Sequence, residues 1–275
     1  MSQDEARFPR IIEPRALFEH SGEADLLIID VPANAQSYRD GHVPGAIFLD
    51  YHRLLSGQPP VANDVPDEAA LSTLFSELGL TPQTHVIVYD DEGGGWAGRL
   101  AWTLTLAGHD HWSYLNGGIH AWKGEDLPVE LEETAPTPSR FEAHIERPEL
   151  IIRREELIER LEDPKLAIWD ARSPDEYDGL KGNNKHLGHI PGSVNLEWTE
   201  TMDKARDLRL RDLSELVGEL TTLGIDAESE VATHCQSHHR SGLTWMIGHL
   251  LGYHIRAYPG SWQEWGNRDD TPIET

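Results

Sequence analysis

Short apolar runs that end in a polar residue recur along this chain: LLIID at 26–30, HVIVYD at 85–90, LAIWD at 166–170 and EVATHC at 230–235. Continuous runs of this length, without polar alternation, predict buried strands of a parallel sheet. Between them lie segments with apolar positions three and four apart. In PDEAALSTLFSELG, Leu71, Leu74, Phe75 and Leu78 fall on one helical face, Pro66 suits the first helical position, and Gly79 ends the pattern. RDLSELVGELTTLG repeats it with Leu213, Leu216, Val217 and Leu220, stopping at Gly224. Strands alternating with helices predict an α/β fold whose mainly parallel sheets are flanked by helices.

The pattern occurs twice. LLIID followed by GHVPGAIFLD returns as LAIWD followed by GHIPGSVNLE; HVIVYD with GRLAW matches EVATHC with SGLTW; LNGGIHAW matches YPGSWQEW. Matching blocks in one order indicate duplication. Between the copies, Pro128, Pro136, Pro138 and Pro148 interrupt any sustained period, which predicts an extended linker. The expected division is a first domain over 1–135, a linker over 136–147 and a second domain over 148–275. Trp102 and Trp245, at matching helix positions, are expected in the core. Gly41, Pro44, Gly45, Gly188, Pro191 and Gly192 form tight turns, Asp30 and Asp170 cap the segments after their strands, and Arg172 plays a structural part.

Composition narrows the chemistry. Lys plus Arg of 23 against Asp plus Glu of 48 leaves a net charge of −25, which disfavours nucleic acid and anionic membranes as partners. The opening MSQDEARFPR has no apolar core of a signal peptide, and no window approaches a membrane span, so a cytoplasmic protein is expected. The chain holds one cysteine, which forms no internal disulfide and fits a reducing compartment.

That cysteine stands in HCQSHHRSG, residues 234–242. EVATH reads as a strand, CQSHH as a turn and RSGLTWMIGHLLG as a helix from Arg240. The thiol of Cys235 is therefore expected at the carboxyl edge of a strand, facing a helix N-terminus whose free N–H groups favour a thiolate or bound anion. Ligands of open α/β sheets bind at that edge. His234 is expected as a core imidazole, while His238 and His239 shape the loop and add partial positive charge. No metal site is expected, because adjacent histidines do not converge on one ion and no second cysteine completes a set. Matching the two copies puts Asp90 where Cys235 stands, in a loop two residues longer to the corresponding tryptophan.

The duplicated GH-V/I-PG turn, the aspartate-ended strands and a single cysteine in the second copy resemble the two-domain rhodanese family of sulfurtransferases. The resemblance covers about residues 10–270, and the CQSHHR loop is similar to that of the Azotobacter-type bacterial enzyme. It implies that Cys235 carries a persulfide, that the loop of Gln236, Ser237, His238, His239 and Arg240 cradles it, and that the first domain is catalytically silent. It implies no cofactor beyond that covalent persulfide. The implied partners are a small sulfur donor such as thiosulfate and a cyanide, thiol or protein acceptor. Glu176 stands where animal sulfurtransferases of this family carry an arginine, which disfavours 3-mercaptopyruvate as donor. Lys181, Lys185 and His186, in an insertion absent from the first copy, are expected near this edge.

Two other readings fit the loop. Cysteine phosphatases and arsenate reductases also wrap an anion at a helix N-terminus and end in arginine, but with five residues between cysteine and arginine where this chain has four. Alternatively the tandem domains bind a partner, and the thiol senses oxidants without catalysis.

Overall fold

The computed structural model describes residues 8–23 and 25–275; most of the polar N-terminal stretch, residues 1–7, lies outside them. Its strands are β1 (Ile11–Ile12), β2 (Leu26–Asp30), β3 (Ile47–Phe48), β4 (Ser56–Gln58), β5 (Val61–Asp64), β6 (His85–Tyr89), β7 (Trp112–Leu115), β8 (Leu166–Asp170), β9 (Ser193–Asn195), β10 (Met202–Asp203), β11 (Arg209–Leu210), β12 (Glu230–His234) and β13 (His254–Ala257). Its α-helices are α1 (Pro14–Glu19), α2 (Ala35–Arg39), α3 (Glu68–Leu78), α4 (Gly95–Leu106), α5 (Gly118–Gly124), α6 (Arg154–Glu159), α7 (Pro174–Tyr177), α8 (Leu213–Thr222), α9 (Arg240–Leu250) and α10 (Ser261–Trp265).

The four apolar runs are central strands. In the first domain the parallel order is β1-β7-β6-β2-β3, and in the second β13-β12-β8-β9. A parallel bridge from Ile151 to Ala257 takes the place of β1 in the second sheet. Asp30 pairs in register with Tyr89, and Asp170 with His234, so the next residues along each chain, Asp90 and Cys235, leave matching strand ends.

Helix α3 buries Leu71, Leu74, Phe75 and Leu78 as its periodicity predicts. Its start is one correction: Asp67 is the N-cap, accepting the N–H of Ala70 at 2.8 Å, so Pro66 lies before the cap and not at the first helical position. The linker is extended, as its prolines predict, but it is also anchored. Glu68, Ser72 and Ser76, one turn apart on α3, accept the backbone N–H groups of Ile145, Ala143 and Phe141 at 2.8, 2.9 and 2.9 Å. Three side chains thus do for the linker what a neighbouring strand would do.

The domains meet along α4 and α9. Every residue of α4 is buried, because one face lies on its own sheet and the other on α9. The close approach is at glycines: a Cβ on Gly98 would stand 2.3 Å from the Gly242 carbonyl oxygen, and one on Gly242 2.4 Å from that of Gly95. Trp102 and Trp245 flank this contact and are fully buried, as predicted. Each domain also reaches over the other with a hairpin the sequence pattern did not reveal. Asn63 at the β4-β5 hairpin donates to Gln263 at 2.9 Å, and Leu210 of the β10-β11 hairpin donates its N–H to Asn116 at 2.8 Å.

Gly98→Ala is expected to lower stability by roughly 1–3 kcal/mol, since its Cβ meets backbone that cannot rotate away. The midpoint of denaturant unfolding, compared with that of Gly218→Ala, where a Cβ meets nothing, measures it.

Candidate active site

Strand β12 ends at His234, and the next five residues turn into α9. The turn needs one left-handed residue, which is His238 at φ 53°. Ser261 holds the turn from below: its hydroxyl oxygen accepts the N–H groups of Cys235 at 3.4 Å and His238 at 3.1 Å, and its proton goes to the Tyr258 carbonyl at 2.9 Å. The carbonyls of Cys235 and Gln236 accept the N–H groups of Trp262 and Gln263, both at 2.9 Å, which ties the loop to α10. Sequence reasoning did not single out Ser261. Its signal is a side chain at φ 50° where the first copy has Gly118 at φ 54°.

Cys235 is fully buried. Burial pushes its thiol up, but the Arg240 charge, the Ser241 hydroxyl at 3.5 Å and the N–H groups of Ser241 and Ser237 more than offset that, so the thiol lies below its ordinary value. The loop therefore favours a thiolate.

Arg240 does not point freely at the sulfur. Its two terminal nitrogens bind the Glu176 carboxylate at 2.6 and 2.9 Å, a bidentate pair. Burial pushes that carboxyl up, but Arg240 and the Ser173 hydroxyl and N–H draw it down to about 2. Gln236 donates to Asn184 at 2.9 Å. Together with Glu176, Lys181, Gly182 and Asn183 these two line a surface pocket of about 300 Å³. Of the insertion's basic residues, Lys181 borders this pocket, whereas Lys185 and His186 are held by Asp269.

The histidines divide. His234 is buried, with Nδ1 3.2 Å from the Cys235 carbonyl oxygen and Nε2 3.6 Å from Asp170. His239 faces the other domain: it stacks on Trp96 at 4.2 Å, Trp96 stacks on Tyr51 at 4.0 Å, and its Nε2 lies 3.0 Å from the Glu92 carboxylate. His238 corrects the expectation of added positive charge. Burial, then Arg99 and His239, hold its imidazole well below the ordinary value, so it is neutral, and its ring meets Trp102 edge-on at 4.6 Å. Ser237 contributes its backbone N–H to the sulfur.

Arg172 is structural, gripping Asp170 at 3.0 Å and the Gly188 carbonyl at 2.8 Å, with its guanidinium over Trp262 at 4.4 Å. The first domain has Pro32 at the corresponding place, and buried Asp30, lacking that cation, is pushed well above the ordinary carboxyl value by burial. Among the described residues no group of three or more His, Cys, Asp or Glu is placed to hold a metal ion, and no helix is long and apolar enough to cross a membrane.

In the first domain the equivalent loop closes on itself. The Asp90 carboxylate accepts the N–H groups of Glu92, Gly93 and Gly94 at 3.1, 3.0 and 2.8 Å with one oxygen, and that of Ala97 at 3.0 Å with the other. Its own side chain fills the anion cradle.

Fold and loop define a tandem α/β protein with two anion-cradling strand-to-helix turns, one bearing a thiol. A rhodanese-like domain model matches residues 13–125 and 153–268. The thiosulfate sulfurtransferases of Azotobacter vinelandii and Pseudomonas aeruginosa are 47% and 46% identical over 274 and 270 residues, covering 98% and 97% of this chain and 99% and 97% of theirs. A sulfur carrier protein, TtuD of Thermus thermophilus, is 30% identical over 271 residues, 93% of each chain. Among solved structures, wild-type EanB superposes with a TM-score of 0.85 at 22% identity, covering 97% of this chain and 69% of that one. The chain belongs to the rhodanese family.

Asp90→Ala would strand three buried N–H groups and one part-buried one, and is expected to cost on the order of 3 kcal/mol, read as a lower thermal or denaturant midpoint.

Proposed function

We propose that this protein is a sulfurtransferase, moving sulfane sulfur from thiosulfate to cyanide, a small thiol or an acceptor protein through a persulfide on Cys235. The observation that carries this reading is the single thiol set at the head of α9, beneath converging N–H groups and next to Arg240. The Cys235 thiolate attacks the outer sulfur of thiosulfate; the new S–S bond forms as the old one breaks, and sulfite departs with its electron pair. The negative charge passes to the terminal sulfur of the persulfide, where the loop's N–H groups stabilise it without a metal or other cofactor. Cyanide or a thiolate then attacks that sulfur, and Cys235 leaves as the thiolate it began as.

In this reading residues 148–275 form the catalytic domain, 136–147 join it to the first, and 1–135 serve as a silent partner. Gln236, Ser237 and Arg240 act at the sulfur through backbone and charge. The thiosulfate sulfurtransferases at 46–47% identity support the donor, and the TtuD relative supports a protein acceptor. Four residues between Cys235 and Arg240 suit a single sulfur atom better than the tetrahedral oxyanion of a phosphatase. A chain with one thiol, kept reduced to work, suits the cytoplasm.

The test is the intact mass after incubation with thiosulfate: one added sulfur atom, lost on adding cyanide, and neither change in Cys235→Ser. The Glu176–Arg240 pair generates another expected outcome. Glu176→Gln keeps an acceptor for the Ser173 cap but removes a negative charge at the pocket. kcat/KM for thiosulfate is expected to rise several-fold, and to exceed that for 3-mercaptopyruvate in both forms, with the same acceptor; a fall would show that Glu176 holds Arg240 in its working position.

A further inference from the structure

The sulfur of Cys235 receives a side-chain hydrogen bond from the Ser241 hydroxyl at 3.5 Å, and that hydroxyl lies 2.8 Å from Nδ1 of His238. All three residues are fully buried. A hydroxyl has one proton to give, and a thiolate has none. The bond to Sγ therefore exists only while the Ser241 proton points at sulfur, and Nδ1 is a nearer rival for it. The rivalry ends if Nδ1 itself carries the imidazole proton. We propose that His238 is a positioning residue whose Nδ1–H donates to Ser241 Oγ and thereby fixes the Ser241 proton on Cys235 Sγ. This rests on the preceding reading only in taking Cys235 as the acting thiol.

The surroundings of the other ring nitrogen support that tautomer. His238 Nε2 is buried with no hydrogen-bond partner, and so are Nε and Nη1 of Arg99. Both side chains rest on Trp102, the ring edge-on at 4.6 Å and the guanidinium at 4.7 Å. Arg99 comes from α4 of the first domain, with Nη2 bound to the carbonyls of Leu54, Asn63 and Asp64 at 2.9, 3.1 and 3.1 Å. Burial lowers its guanidinium to about 9, where it remains a cation at neutral pH. A lone pair on Nε2 is attracted by this charge, whereas an N–H there would be repelled. Arg99 on α4 and His239 in the loop both oppose a second proton on the ring, and the Cys235 sulfur stands one hydroxyl away from Nδ1. The silent domain thus reaches the sulfur indirectly, through a cation that sets which nitrogen of a histidine in the other domain holds its proton.

With one cysteine in the chain, alkylation by iodoacetamide as a function of pH reports on this thiol alone. Ser241→Ala is expected to raise the midpoint of that profile by about half to one pH unit. His238→Phe, which keeps a ring against Trp102, should raise it comparably. The double variant should move it no further than Ser241→Ala, and His238→Asn, which restores an N–H, should recover part of the shift. An unchanged midpoint in folded His238→Phe, or additive shifts in the double variant, overturns the proposal. Nitrogen-15 NMR of the wild-type histidines needs no variant: His238 is expected as the neutral Nδ1–H tautomer from about pH 5 to 8. A proton on Nε2, or titration in that range, overturns it. None of these readouts requires turnover, so their outcome is separate from that of the sulfur-loading test.

Discussion

A strand that runs straight into a helix leaves several backbone N–H groups pointing into one small space, and inside a protein those donors must have a partner. Both domains are organised around that requirement and meet it differently. The first meets it with the Asp90 carboxylate, which takes four of the donors. The second leaves the space to a sulfur, and assigns two donors that would otherwise crowd it to the Ser261 hydroxyl. The two turns differ in the negative partner they are built around, a carboxylate in the first domain and a thiol held below its ordinary value in the second.

Placing those two turns side by side depends on Gly98 and Gly242. Because neither has a side chain, α4 and α9 approach until backbone meets backbone, and Tyr51, Trp96 and His239 stack across the junction with Trp198 tilted against the histidine. Arg99 owes its position to the same approach. It is the residue next to the contact and lies on the underside of the partner domain's loop, buried with only one of its terminal nitrogens satisfied by carbonyls. A duplicated chain in which one copy lacks a thiol can still supply charge to the copy that carries it.

The chain itself disclosed the features that repeat with a period. Central strands, α3, α8, the start of α9 at Arg240 and the placement of Cys235 were all legible, because apolar runs and 3.6-residue spacing are local signals. What was not legible is tertiary. Glu176 is 64 residues from Arg240 and Arg99 is 139 from His238, and no local pattern announces either meeting. The reading of His238 as a source of positive charge failed for this reason: its neutrality is imposed by burial and by a cation from the other domain. The crossing hairpins were missed because strands of two to four residues carry too little alternation to register. Ser261 alone left a trace, a hydroxyl at a left-handed position where the first copy has glycine.

The linker bears on how copies of this protein coexist at high concentration. Chains with two similar domains are prone to exchange them, one molecule's second domain docking on another's first, and the hinge that permits this is a loose connection. Here the connection is tied to α3 by Glu68, Ser72 and Ser76, which shortens the free length of that hinge. Three polar side chains on the outer face of one helix thereby restrict how far one domain can stray from the other.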